Sequence, residues 1–190
     1  MANTRTATVA GVILAAGAGT RIGSPKALLG TADGEPWLAR AARLLRAAGC
    51  DPVIAVLGAR AGEAAPLVPR GVTTVVAERW ADGIAESLRA ALAAAAETDA
   101  VAALITLVDL PDLPLAVAIR VLGDDVDDST LRQAVFDGHP GHPVLIGRSH
   151  WAPAGAEAAG DRGARSYLVS NGVTEVECGE LFDGHDVDRR

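Results

Sequence analysis

The chemically richest segment of the chain is Gly17-Ala-Gly19-Thr-Arg21-Ile-Gly23-Ser-Pro-Lys26. Glycines let backbone N–H groups come close to phosphate oxygens, and Arg21 and Lys26 bring charge that can neutralise a triphosphate. Lys26 is the single lysine among 17 basic residues. A compact ammonium on a flexible stem differs chemically from a guanidinium fork, which singles this residue out in an arginine-rich chain. Two familiar phosphate motifs fail. In the dinucleotide fingerprint the third glycine would come one residue before Gly23, and the P-loop lysine would not lie between Pro25 and Ala27. What the spacing leaves is an anion-binding loop or a plain strand-to-helix connector.

Asp109 follows directly on an apolar run, Val101–Val108. A carboxylate there suits Mg2+, which takes one or two carboxylates together with phosphate oxygens and waters. The competing role is a turn aspartate before Pro111. Taken together, the parts describe a nucleotidyl transfer. Backbone amides, Arg21 and Lys26 hold a triphosphate, with Mg2+ on Asp109. An incoming phosphate attacks the α-phosphorus and diphosphate leaves. The attacker is already an anion, so positioning and charge neutralisation suffice without a general base.

Other polar residues carry two readings each. Ser87 is either a ligand contact or a helix-surface serine. Arg162 and Arg165, after a candidate helix cap at Asp161, either bind an acceptor phosphate or are solvated. His139 and His142 stand near Asp137, but Pro140 and Gly141 between them make a turn, and zinc sites need more ligands. His150 and His185 read as surface residues. Trp37 and Trp151 read as packing, with Trp80 set apart by its place beside Asp82-Gly83.

Elements that position these residues follow from apolar periodicity. Strands are expected at Val9–Ala15, Pro52–Leu57, Val72–Ala77 and Val101–Val108, and the first, polar on neither face, suits a parallel strand covered on both sides. Helices are expected from Pro36 to Ala48, Arg60 to Leu67, Ile84 to Glu97 and Pro114 to Leu122. The alternation implies βαβ units in an α/β, three-layer, Rossmann-like fold with a mostly parallel central sheet. Beyond Leu122 the pattern loosens. Asp124, Asp125, Asp127 and Asp128 read as a solvated loop. Strands are expected at Gln133–Phe136 and Pro143–Ile146 around the turn-rich Asp137–Gly141. A helix from Asp161 through Val169 and a last strand at Val173–Cys178 complete the chain.

The chain has 190 residues, a net charge of −7 and 49% apolar residues. That is one domain's length with a real core, and it excludes a disordered chain. The acidic balance argues against nucleic acid as a partner, though not against small anions. Cys50 and Cys178 read as buried thiols in a reducing compartment, not as a disulfide framework. No apolar run reaches the roughly 18 residues of a membrane span. Val9–Ala18, after Arg5, has the apolarity of a signal peptide but is glycine-rich and runs into Arg21 and Lys26, so a cytoplasmic protein is expected.

Leu14-Ala-Ala-Gly-Ala-Gly-Thr-Arg21-Ile-Gly23-Ser-Pro-Lys26 resembles the signature of the nucleotidyltransferases related to the molybdenum-cofactor enzymes, and more narrowly the molybdenum cofactor cytidylyltransferases. The similarity continues through Trp80-Ala-Asp-Gly83 with Ser87-Leu88, Val108-Asp109-Leu-Pro111, Gly141-His142-Pro143-Val144 and Gly160-Asp-Arg162-Gly163-Ala164-Arg165. It implies a single nucleotidyltransferase domain over 1–190, with a nucleotide-binding part at 1–122 and an acceptor-binding part at 123–190. It implies CTP as donor and the phosphate of molybdopterin as acceptor. Leu14, Ala15, Ala16, Gly17, Gly19, Thr20, Gly23 and Ser87 would line the nucleotide site. Lys26 would stabilise the α-phosphate, Arg21 would hold the departing diphosphate, and Asp109 with Asp186 would hold Mg2+. His142, Arg162 and Arg165 would meet the acceptor.

Departures from the family pattern are Ile22 for methionine, Glu78 for asparagine, Glu86 for a small residue, and a closing motif reduced to Asp186-Val-Asp188. A molybdoenzyme or its chaperone is the protein partner the resemblance implies. The same chemistry with GTP, or with phospholactate or a sugar phosphate as acceptor, is the alternative within the class. A non-catalytic cofactor carrier is the alternative outside it.

Overall fold

A computed structural model of the chain describes residues 7–186. Its strands are β1 (Val9–Ala15), β2 (Val53–Leu57), β3 (Val72–Val76), β4 (Ala102–Leu107), β5 (Leu131–Phe136), β6 (His139–Gly147) and β7 (Thr174–Glu177). Its α-helices are α1 (Trp37–Ala47), α2 (Ala61–Ala64), α3 (Ile84–Ala96), α4 (Leu115–Leu122), α5 (Trp151–Glu157) and α6 (Arg165–Ser170). The strands make one sheet in the order β3-β2-β1-β4-β6-β5-β7. Pairing is parallel from β3 through β4 and between β5 and β7, while β6 runs antiparallel to both its neighbours.

Three layers follow from residue alternation along the strands. Ile13, Ala55 and Leu104 face α1 and α4, meeting Leu38, Leu45 and Val117. Val12, Ile54 and Ile105 face the other way, meeting Leu88 and Leu92 of α3, Trp151 of α5 and Tyr167 of α6. β1 is buried along its whole length, as its unbroken apolar run requires. Cys50 and Cys178 are buried thiols, and burial pushes Cys50 up to about 12. No described helix is long and apolar enough to cross a membrane.

The first four strand–helix units match the periodicity within a residue or two, except that the Arg60–Leu67 helix splits into α2 and a 3-10 turn at Ala65–Leu67. The second half departs further. β6 begins at His139, because Asp137 and Gly138, both with positive φ, close a two-residue hairpin. α5 has no sequence signal, since Pro153 and Gly155 are weak helix formers. It is held from outside, where Arg89 of α3 donates to the carbonyls of Gly155 and Ala158. Asp161 caps no helix. It lies in a 3-10 turn, Gly160–Arg162, and α6 starts at Arg165 behind Ala164.

Strand order and direction place the site. β1 has β2 on one side and β4 on the other, so the loops after β1 and β4 diverge and leave a crevice at their carboxyl ends. The first loop is Ala16–Lys26, and the second opens with Asp109. Because β6 is antiparallel to β4, its amino-terminal end reaches the same edge and brings His142 there.

Candidate functional site

The crevice is a cleft of about 580 Å³. Leu14, Ala15, Ala16, Gly17, Gly19, Thr20, Arg21 and Lys26 line one side, Ser87 with Trp80 and Ile84 another, and Asp109 the floor. The loop keeps its shape through its own backbone. Ile22 and Gly23 donate N–H bonds to the Gly19 carbonyl at 3.0 and 2.9 Å. Gly19 has φ +60, and a Cβ there would lie 1.9 Å from the Ser24 carbonyl oxygen, so only glycine fits. Gly23 does not line the cleft, and its expected ligand contact becomes this structural bond. α3 presents its first turn without a side-chain cap, and the buried Ser87 lies on that turn.

Lys26 does not point at open solvent. Its Nζ donates to Asp109 Oδ2 at 2.6 Å and lies 3.6 Å from Asp186 Oδ2. The Lys26 and Asp109 side chains are only 16% and 13% exposed. The other oxygen of Asp109, Oδ1, is buried and has no hydrogen-bond partner among the described residues. Three residues spread over the whole chain thus converge at the foot of the glycine loop, and nothing local in the sequence signals that pairing. Among the described residues no three His, Cys, Asp or Glu side chains cluster as a metal centre. Asp188 lies outside the described residues.

A second cavity of about 200 Å³ adjoins the first, sharing Leu14, Ile84 and Asp161 with it. Leu88, Ile105, Val144 and Ile146 give it aliphatic walls, and His142, Arg162, Arg165 and Gln133 are its polar lining. Burial pushes His142 down to about 4, against the opposing pull of the Asp109 charge, so the ring is neutral at pH 7. Gln133 Nε2 donates to the Gly141 carbonyl at 3.2 Å. A carbonyl only accepts, so this bond fixes which end of the amide is nitrogen.

The structure therefore brings the residues expected at the nucleotide site, Gly23 excepted, to one cleft and His142, Arg162 and Arg165 to its neighbour. Residues that sequence reasoning did not place at the site are Asp161, at the junction of the two, and Gln133. Asp161 had been legible only as a cap, because its position depends on the turn before α6. Glu78 and Glu86 lie on neither cavity's wall, and Glu86 pairs with Arg89. His139 stays in the exposed hairpin, where its Nδ1 donates to the Asp137 carbonyl at 3.1 Å. His150 is not a bare surface residue. It contacts the Tyr167 hydroxyl at 2.7 Å and the Ser129 carbonyl at 3.1 Å.

Comparison with known proteins gives the same frame. A family model described as MobA-like NTP transferase domain matches residues 11–175. Nicotine blue oxidoreductase of Paenarthrobacter nicotinovorans is 34% identical over 200 residues, covering 99% of this chain and 96% of that protein. The crystal structure of Rv0371c from Mycobacterium tuberculosis H37Rv superposes with a TM-score of 0.77 at 30% identity, covering 91% of this chain and 89% of that one. A second structure of that protein, in complex with manganese, gives 0.70 at 28% identity over 90% and 88% of the two chains. A nucleotidyl transferase from Methanothermobacter thermautotroptrophicus gives 0.80 at 20% identity over 96% and 92%, a likeness of fold. With its glycine loop, its crevice between β1 and β4, and a family match across most of its length, the chain belongs to the MobA-like NTP transferase domain family.

Proposed function

We propose that the protein transfers CMP from CTP to the phosphate of molybdopterin, releasing diphosphate, in the cytoplasm. The observation that carries this reading is the convergence of Lys26, Asp109 and Asp186 beneath the glycine loop, beside a second cavity that opens onto the same cleft. A donor and an acceptor side by side are what a group transfer needs. The ion pair at the cleft floor also sets the protein apart from a simple carrier, which has no use for it.

In this reading the backbone N–H groups of the loop and the first turn of α3 bind triphosphate oxygens. Lys26 exchanges its carboxylate partner for the α-phosphate and offsets the charge that builds there, and Arg21 holds the departing diphosphate. Asp109 and Asp186 fit a divalent cation, Mg2+ in this proposal. Both carboxylates already converge on one positive charge, and Asp109 keeps an unpartnered buried oxygen. Held by Asp109 and Asp186, such an ion would supply positive charge that neutralises the triphosphate. His142 offers a neutral ring and Arg162 and Arg165 offer guanidinium groups, so the acceptor's ring and its anionic groups meet different parts of the second cavity. Transfer of the finished cofactor to a molybdoenzyme or its chaperone is the onward step this reading implies.

Calorimetry with CTP, GTP, ATP and UTP in Mg2+, with Lys26→Ala as control, tests the proposal. CTP binding that is lost in the variant supports it, and molybdopterin cytidylylation is then the decisive assay. A preference for GTP moves the assignment to guanylyl transfer. No nucleotide binding, with and without acceptor, overturns it.

The identity to nicotine blue oxidoreductase, spread over 99% of the chain, supports a second reading as an oxidoreductase. Reductant-dependent bleaching of nicotine blue by the purified protein, unaffected by Asp109→Asn, would establish it.

A further inference from the structure

Beyond β7 the chain leaves regular structure yet follows a defined path. The Cys178 N–H donates to the Val135 carbonyl at 2.8 Å, and the N–H groups of Leu181 and Phe182 turn back to the Cys178 carbonyl at 2.9 and 3.2 Å. Arg120 of α4 holds the start of this segment through the Glu177 carbonyl and the Glu180 carboxylate. Phe182 then meets Phe136, the last residue of β5, edge to face, with centroids 5.7 Å apart and planes at 81°. Gly184 passes over the same ring. Its φ is +73, and a Cβ would lie 2.5 Å from the ring. Two residues further on, Asp186 Oδ2 stands 3.6 Å from Lys26 Nζ.

The Asp186 side chain is 42% exposed, so burial does not hold it in place. Its position is inherited from the anchor upstream. We propose that Phe136, Phe182 and Gly184 are positioning residues, which make residues 179–186 a strap that delivers the Asp186 carboxylate to Lys26 and Asp109. The proposal rests on the reading of Asp109 and Asp186 as cation ligands. Without the aromatic contact the segment from Cys178 onward keeps its first turn but loses its direction. A carboxylate on a wandering segment has a low effective concentration at the site. Groups that orient metal ligands in this way are worth about 10–100-fold in metal affinity.

The test reads the Mn2+ concentration that gives half-maximal CTP binding by calorimetry, on the full chain. Asp186→Asn is expected to raise it about tenfold, and Phe182→Ala by a similar factor, both within the range for orienting groups. The double variant is expected to be no worse than Asp186→Asn alone, because Phe182 acts only through Asp186. Phe182→Tyr restores the edge contact and should restore the wild-type value. Gly184→Ala, which keeps both rings and displaces only the strap, should behave like Phe182→Ala and serves if that variant does not fold. Phe182→Ala and Gly184→Ala that lower Tm yet keep wild-type Mn2+ dependence would overturn the proposal, and so would additive effects in the double variant. CTP binding that ignores Mn2+, or that Asp186→Asn leaves unchanged, removes the strap's role while the nucleotide reading stands. A wild-type protein that binds no CTP removes both.

Discussion

Lys26 works against two carboxylates in a nearly closed corner of the cleft. Taking away one partner of such a pair leaves an uncompensated charge, typically at a cost of about 3–5 kcal/mol. Lys26→Met is therefore expected to lower stability by about 3 kcal/mol in metal-free buffer. Millimolar Mn2+ should recover much of that loss, because Asp109 and Asp186 then take an ion where the ammonium stood. Urea unfolding with and without Mn2+ decides it, and a loss that Mn2+ leaves untouched counts against those carboxylates as ligands. His142 sets a second expectation. Burial holds its ring deprotonated down to about pH 4, whereas in the unfolded chain it titrates near 6.5. Between those values the unfolded chain binds more protons, so this residue's contribution is full above pH 6.5 and is lost as pH falls through the window to 4. The wild type should lose up to about 3 kcal/mol more than His142→Gln across that range. Parallel acid dependences in the two proteins would mean that the ring titrates in the fold as it does in the unfolded chain.

At the scale of elements, the loop after β1 is held by backbone bonds to one carbonyl and by one glycine with no room for a side chain. Gly19→Ala forces Ser24 away and opens the turn, while the strand and the helix on either side keep their cores. The expected result is a modest fall in Tm, from about 1–3 kcal/mol of local strain, with CTP affinity reduced at least about tenfold. CTP binding at wild-type strength in that variant would show that the loop amides are not what holds the phosphates. The loop was readable from its glycines because a close backbone approach needs residues without side chains. The helix α5 was not, because Pro153 and Gly155 speak against it locally and the bonds from Arg89 that support it come from a distant element.

For the whole molecule, one sheet carries both cavities, and β4 and β6 join residues 1–122 to residues 123–186 through four paired positions in the sheet interior. Helices α1 and α4 of the first part cover one face, and α3 of the first part with α5 and α6 of the second cover the other. Urea unfolding followed by far-UV circular dichroism and by tryptophan fluorescence is expected to give one coincident transition, because Trp37 and Trp151 report from opposite faces of the same sheet. Two separated transitions would show that residues 1–122 and 123–190 fold independently. The strand and helix order of the first 122 residues, the glycine-rich loop, the lone lysine and the strand-end aspartate all stood in the sequence. Each depends on spacing within a few residues, where apolar period and side-chain chemistry act directly. Only the tertiary structure decided that Lys26 meets Asp109 and Asp186, that Asp161 stands where the cavities join, and that His142 is a neutral ring beside the crevice. Those facts depend on strand order, on the reversal of β6 and on the path of the last residues over Phe136. Packing of distant segments against both faces of the sheet determines them, and no local pattern records such packing.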